Sequence, residues 1–403
     1  MWNNPALLTL WGGDFTSRVG ESIFQIALLW YLLEVTQSSL STGLITMISF
    51  IPALVVGVWA GVLVDRWDFR RVLWGADAAR ALFALALLLL GWAGALPLWA
   101  VAALAFSLTS ASAFFNPARD AIIPSYATSE GLFAANALVQ TAWQFSLLVG
   151  PFLAALMLPF IPTLFLFGLV AAAFLASLAV LLRLPGGAAG EPSAGGSAMR
   201  RAGPFGPAFR EGFRALWRDG RVFWIWVITV FNNFFLMGPV IVGVPFYVKV
   251  HLGGSGSQFA LVEGTYAGGM ILSTWLLTRF AGRFDPVRLL FVAIIFDGLT
   301  YLPLLWVTTV EGTILTIFIH SFGIPAITIS RLTTLHRIVP REVQGRVFSH
   351  FNLAVNGMTA LSVGVVGVLL TWLPANQLFL VIGLLAASCG LFGLLLPVFR
   401  RGS

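Results

Sequence analysis

Gly61-Val62-Leu63-Val64-Asp65-Arg66-Trp67-Asp68-Phe69-Arg70-Arg71 joins two long apolar blocks. A glycine permits a tight turn from helix to loop. Asp65 can accept from a neighbouring helix N-terminus, and the arginines can bind carboxylates across the same face. Three arginines between apolar blocks also mark a side of a membrane, because cytoplasmic loops attract Lys and Arg. Working outward, the other basic residues gather at Arg119, from Arg183 to Arg221, from Arg279 to Arg288, from Arg331 to Arg346, and at Arg400 and Arg401. Between clusters the chain is apolar and crosses twice, so 20 of 23 basic residues return to one face. Arg18 and Arg80 fall inside apolar blocks, and Lys249 falls on the outer side. Both termini are expected inside.

Composition agrees. Hydrophobic residues make up 59% of the 403 and charged ones 10%, with mean hydropathy +0.92. No soluble chain of this length needs so much apolar surface. The net charge of +7 follows from the one-sided loops, and no nucleic-acid motif accompanies it. A lone cysteine, Cys389, lies in an apolar block and excludes a disulfide framework. Met1-Trp2-Asn3-Asn4 lacks the basic start of a cleavable signal, so the first helix is expected to stay.

About twenty apolar residues cross a hydrocarbon core. Twelve blocks qualify, at roughly 6–33, 40–63, 72–95, 97–117, 132–158, 162–183, 222–249, 259–280, 288–308, 312–331, 347–371 and 377–398. Pro185 to Pro207 reads as a flexible linker. After it, Phe209, Phe213, Leu216 and Trp217 form one row and Arg210, Arg214 and Arg218 another. This predicts an amphipathic helix on the inner membrane surface, read as a mechanical tether, with lipid sensing as the alternative. The expected division is a six-helix unit over 1–184, a linker over 185–220 and a second six-helix unit over 221–403. Internal similarity supports two related halves. Ile122-Ile123-Pro124 aligns with Ile338-Val339-Pro340, and the basic turn has a weaker counterpart in Gly282-Arg283-Phe284-Asp285. Such halves suggest rocking around a central site.

The Gly61–Arg71 stretch resembles the inner loop of the major facilitator superfamily, G-x-L-a-D-R-x-G-R-R. Only the second glycine departs, replaced by Asp68 or Phe69. Ser17-Arg18-Val19-Gly20-Glu21, Asp77-Ala78-Ala79-Arg80, Asn116-Pro117-Ala118-Arg119, Ala134-Ala135-Asn136-Ala137-Leu138, Glu211-Gly212-Phe213 and Val339-Pro340-Arg341-Glu342-Val343-Gln344-Gly345-Arg346-Val347 are similar to its macrolide- and enterobactin-exporter branch. The resemblance implies an all-α integral membrane fold of twelve transmembrane helices in two pseudo-symmetric six-helix bundles. It also implies that Gly61, Asp65, Arg66, Arg70 and Arg71, with Asp77, Arg80 and Arg119, latch the inner side. In the fifth block Ser146, Gly150-Pro151 and Ala154-Ala155 keep the small residues of the antiporter motif G-x-x-x-G-P-x-x-G-G but lose three glycines.

Ionisable groups in hydrocarbon cost roughly 2.5–3.5 kcal/mol on insertion scales, so each needs a reason. Asp14, Arg18, Glu21 and Gln25 share one face of the first helix. Asp14 and Arg18 can neutralise each other, leaving Glu21 as proton carrier; the alternative is a structural triad in which Arg18 satisfies both acids. Asp77 and Arg80 read as a structural pair. Asp297, near the middle of the ninth block, has no sequence-local partner and is the second proton candidate. Glu263 reads as interfacial and His320 as a packing histidine. Gln140, Gln144, Asn232 and Asn233, with Gln25, are candidate cargo contacts, being amides that orient a ligand without fixing its charge. Most of the 15 Trp and 35 Phe are expected to anchor in lipid.

A Walker loop needs Gly-Lys-Ser/Thr, and the one lysine, Lys249, precedes Val250. No metal or hydrolase motif occurs. The expectation is a non-enzymatic, proton-driven exporter of a lipophilic or amphiphilic small molecule (drug, macrolide or siderophore class), monomeric, in a bacterial-type inner membrane. It needs no cofactor beyond the proton gradient, and its partners are the bilayer, protons and cargo. The alternatives are a proton-independent lipid or lysolipid flippase and a non-transporting sensor or scaffold.

Overall fold

The structure, a computed structural model, describes residues 4–64, 66–127, 131–185, 205–280 and 283–400. Their regular structure is helical, with no strand among the described residues. The helices are α1 (Pro5–Thr36), α2 (Ser39–Val64), α3 (Phe69–Trp92), α4 (Leu98–Ile122), α5 (Leu132–Met157), α6 (Leu166–Leu181), α7 (Phe205–Arg218), α8 (Gly220–Gly238), α9 (Gly256–Arg279), α10 (Pro286–Leu299), α11 (Val310–His320), α12 (Gly323–Ile338), α13 (Arg341–Leu369), α14 (Ala375–Leu395) and α15 (Pro397–Arg400). Among the described residues, 11 segments are long and apolar enough to span a bilayer. The twelfth expected span is α9. Its 24 residues give a length of about 36 Å, but Glu263, Gln258 and Arg279 dilute its apolar character.

Three spans depart from the block boundaries. Pro117 lies inside α4, which continues to Ile122 because neighbouring helices tolerate a proline in a spanning helix. The seventh span continues from α8 to His251 through two π-type turns, Pro239–Gly243 and Tyr247–His251, beside Pro239 and Pro245. The tenth is two helices, α11 and α12, rather than one. Pro325 has no N–H for the Ser321 carbonyl, and Ser273 Oγ of α9 donates to the Phe322 carbonyl at the break (2.9 Å).

The chain divides into two compact units, residues 1–35 with 48–202 and residues 36–47 with 203–403. The first turns of α2 thus group with the second unit. Within the first unit α3 packs on α4 and α6; within the second α10 packs on α12 and α14. The same pairing recurs in the same chain order, as a duplicated six-helix bundle requires. Both α3 and α10 begin at an aspartate N-cap. Asp68 accepts from the Arg70 and Arg71 N–H groups at 2.9 and 3.3 Å, and Asp285 accepts from the Arg288 N–H at 2.8 Å. These carboxylates satisfy donors that have no partner inside the helix. Each unit's apolar core lies toward its basic-loop end, around Val64, Leu73, Phe115 and Ile122 in one and Leu216, Ile225, Phe291 and Phe351 in the other.

Candidate functional site

Charges buried at depth need partners, and the first unit supplies them across helices. Asp14 of α1 accepts from Arg18 Nε (3.0 Å to each oxygen) and from Arg119 Nη1 of α4 (3.1 Å). Arg119 also donates to Asp120 and Asn116. Further along α1, Glu21 accepts from Arg80 Nη1 at 2.9 Å. Glu21 therefore takes its partner from α3, and the Arg18-centred triad does not form. Arg80 also pairs with Asp77, and its guanidinium lies 4.2 and 4.6 Å from the Phe115 and Phe174 ring centres, in the range of cation–π attraction. Asp77 accepts from Ser17 Oγ (3.1 Å) and Ser177 Oγ (2.6 Å). Asp14, Asp77 and Arg80 are buried, whereas the Glu21 side chain keeps 26% of its surface. Asp77, Arg80 and Arg119, grouped with the basic turn in the sequence reading, thus engage acids and hydroxyls along α1.

In that turn Arg66 and Arg71 are exposed and Arg70 half-buried, with Arg70 Nη2 3.3 Å from Asp68 Oδ2. Asp65 lies outside the described residues, and of Gly61 only its helical backbone is described. Burial pushes the Asp68 carboxyl up, but the Arg70 side-chain bond and the Arg71 and Arg70 N–H groups outweigh it and hold it below the usual carboxylate range. Asp68, one of the two residues that can stand at the motif's glycine, is the cap that starts α3.

The second unit holds its acid differently. Asp297 of α10 is fully buried, and neither carboxyl oxygen has a hydrogen-bond partner among the described residues. His320 Nδ1 of α11 lies 3.4 Å from Asp297 Oδ1. The same nitrogen lies 2.9 Å from Thr300 Oγ1 and 3.1 Å from the Asp297 carbonyl, while Nε2 is unpartnered. The Tyr301 ring lies 4.3 Å from the imidazole, centre to centre, and Tyr266 of α9 stacks at 6.3 Å. Glu263, one turn before Tyr266, is half-buried. Gly323 backs the acid, and a Cβ there would overlap the Asp297 carboxyl. The sequence reading weighed Asp297 and His320 separately and missed the pair. The signal was depth. Counted from the loop between α10 and α11, they lie about 12 and 15 Å along adjacent antiparallel segments at 1.5 Å per residue.

The amides differ among themselves. Asn233 Nδ2 donates to the Val355 carbonyl and Thr359 Oγ1, both at 2.8 Å, tying α8 to α13. Asn232 is buried with Oδ1 unpartnered. Gln25 and Gln140 are exposed and Gln144 is half-buried. A cavity of about 370 Å³ lies between α1 and α5, lined by Trp11, Phe15, Leu138, Thr141, Phe145 and Val149. The Trp11 and Phe15 rings stack at 5.4 Å, and Trp11 Nε1 donates to Thr141 Oγ1 (3.1 Å), leaving an apolar wall. The i, i+4 spacing of Trp11 and Phe15 was the available signal, but no aromatic was assigned to a site.

A buried counter-charged network, an embedded acid beside a histidine and an apolar cavity suit binding and proton movement better than bond cleavage. The sequence profile of the Major Facilitator Superfamily matches residues 10–362 and 240–402. Macrolide efflux protein A of Streptococcus pyogenes is 27% identical over 290 residues, covering 72% of this chain and 69% of that one. The multidrug efflux pump Tap of Mycolicibacterium fortuitum is 30% identical over 197 residues, covering 47% and 48%. A crystal structure of a point mutant of the nucleoside transporter NupG superposes with a TM-score of 0.78 at 13% identity, covering 96% of this chain and 99% of that one; at that identity it shows the fold alone. The chain is a multi-pass membrane protein of the Major Facilitator Superfamily, a family of transporters rather than enzymes.

Proposed function

We propose that this transporter exports a lipophilic or amphiphilic small molecule in exchange for protons, by alternating access, with the basic loops on the cytoplasmic side. The observation that carries the reading is Asp297, buried with no hydrogen bond on either carboxyl oxygen and 3.4 Å from His320. A proton arriving on that carboxyl breaks no hydrogen bond of either oxygen. Glu21, the first candidate from sequence, already holds Arg80 at 2.9 Å, so protonating it displaces a guanidinium. Asp297 with His320 is the better carrier. Glu21 is the better trigger, since its protonation would leave Arg80 with Asp77 as its one acid. The relatives named for macrolide and multidrug efflux support the outward direction, and the wall of Trp11, Phe15 and Phe145 supports apolar cargo. Arg66, Arg70 and Arg71 would close the inner side. The membrane potential supplies about 2.3 kcal/mol per charge per 100 mV, so no nucleotide is needed.

Purified protein in liposomes with a trapped pH dye and an inside-acid gradient tests this. Macrolides, lipophilic cations, siderophores and lysolipids are added outside one at a time. Lumenal alkalinisation with one class is expected, abolished in Asp297→Asn and reduced in Glu21→Gln. If Asp297→Asn transports protons normally, Asp297 leaves the mechanism. Lipid movement with no pH change from any compound would replace the exporter with a flippase.

A further inference from the structure

α7 is fixed at the membrane surface by its connection. Arg218 ends it, and after one intervening residue Gly220 opens a spanning segment, Gly220–His251. That residue, Asp219, is extended and caps α8, accepting from the Arg221 N–H at 2.8 Å. The Arg221 side-chain bond holds the Asp219 carboxyl below the usual range, against a smaller opposing effect of burial. α7 therefore cannot lie far from the interface.

One side of α7 is docked within its own unit. Leu216 is buried in the core with Val222, Ile225 and Phe351. Gly212 faces α13 so closely that a Cβ would stand 2.8 Å from His350 Cδ2. Glu211 pairs with Arg346 Nη1 at 2.5 Å. The remaining surface is covered only in part, by the Phe223 ring 4.4 Å from Trp217 and the His350 ring 6.0 Å from Phe213. The expected apolar row is split, because Phe213 and Trp217 stay 41% and 61% exposed. Their rings contact each other at 6.1 Å. Arg210, Arg214 and Arg218 are exposed, and none makes an ion pair among the described residues. At 3.6 residues per turn, Phe213 and Trp217 fall between the docked residues Gly212 and Leu216 and the arginine row. An aromatic strip at the membrane level flanked by unpaired guanidinium groups matches the layering of an interface, where rings sit among headgroups and cations meet phosphate.

We propose that this face of α7 is a docking surface for anionic phospholipids of the leaflet that carries the basic loops. Phe213 and Trp217 enter the headgroup zone, and Arg210, Arg214 and Arg218 bind headgroup phosphates. The inference rests on the membrane topology and is independent of the cargo.

The test uses the full-length protein. In detergent it is titrated with short-chain phosphatidylglycerol or phosphatidylcholine, and retained lipid is counted by native mass spectrometry. The unmodified protein should prefer phosphatidylglycerol. The triple variant Arg210→Gln/Arg214→Gln/Arg218→Gln should lose that preference by about tenfold or more, since each cation near an anionic surface is worth roughly fivefold. The triple Arg→Lys variant should keep most of it. Inorganic phosphate should not compete at the same concentration; competition by it would reassign the site to free anions. In liposomes, Trp217 emission, taken as the difference between the parent and Trp217→Phe, should be quenched by lipids brominated near the headgroup. An unchanged preference in the Gln variant, or no quenching of Trp217, overturns the proposal.

Discussion

Arg80 and Asp297 stand at matching places in the two units. Each lies twelve residues beyond the aspartate that caps its helix, and each helix makes the same kind of packing in its unit. Their surroundings are opposite. Arg80 is held by Asp77, Glu21 and two aromatic faces, and only its Nε lacks a partner. Asp297 has a histidine at 3.4 Å and, among the described residues, no hydrogen bond on either oxygen. A duplicated scaffold has therefore been used for a saturated charge network in one half and an unsaturated acid in the other. The first resists change because every charge there is matched. The second retains the chemical freedom to take and lose a proton.

The largest test of this contrast is the deletion of each charge. Arg80→Met leaves Asp77 and Glu21 without their cation, and breaking a buried pair on one side costs about 3–5 kcal/mol. Thermal unfolding in detergent should register that loss, and adding Asp77→Asn should recover part of it by removing the orphaned charge. Asp297→Asn should shift the same transition far less, since no counter-charge is left behind. Equal losses in the two variants would erase the distinction drawn between the halves.

A smaller effect comes from closing the space behind the acid. Gly323 starts α12 against the Asp297 carboxyl, where a Cβ would overlap it. Gly323→Ala should cost about 1–3 kcal/mol as an overpacked core site does. It should also move Asp297 relative to His320, so proton-coupled transport should fall in a variant that still folds. A variant with parental stability and parental transport would mean that the site has slack, and the close approach of Gly323 would carry no positional role.

Much of the fold was legible because its causes are local. Apolar length sets a span and arginines mark the loops of one side, whereas the aspartate caps of α3 and α10, though as local, were not read. The twelve blocks follow from the first two. The broken tenth span was missed because Pro325 acts through the Ser321 carbonyl it leaves without a helical donor, and Ser273 of another helix bonds the adjacent Phe322 carbonyl at the break. The site was legible residue by residue but not as a set of contacts. Asp14, Glu21, Asp77, Arg80 and Asp297 stood out because charge in hydrocarbon is rare. Which cation meets which acid depends on helix rotation and depth, and sequence spacing favours the local answer. That is why Arg18 looked available to Glu21, when Arg80 of α3 takes it, and why His320, read as a hydrogen-bonded packing histidine, was not placed beside Asp297.

The smallest effect concerns the caps that start the two matched helices. Asp68→Ala and Asp285→Ala should each cost about 1 kcal/mol, the usual loss of an aspartate N-cap. If the halves are equivalent at this end, the two losses should agree, and the contrast is then confined to mid-helix. The Asp68 term has a predictable pH dependence. Its folded carboxyl lies below the ordinary range, so its contribution is present above the unfolded value and is lost as pH falls through the folded one. The difference in unfolding temperature between the parent and Asp68→Ala should therefore be constant near neutrality and shrink in acid. A difference that grows in acid would mean that Asp68 is stabilised in its protonated form, and the hydrogen bonds from the Arg70 and Arg71 N–H groups could not be what starts α3.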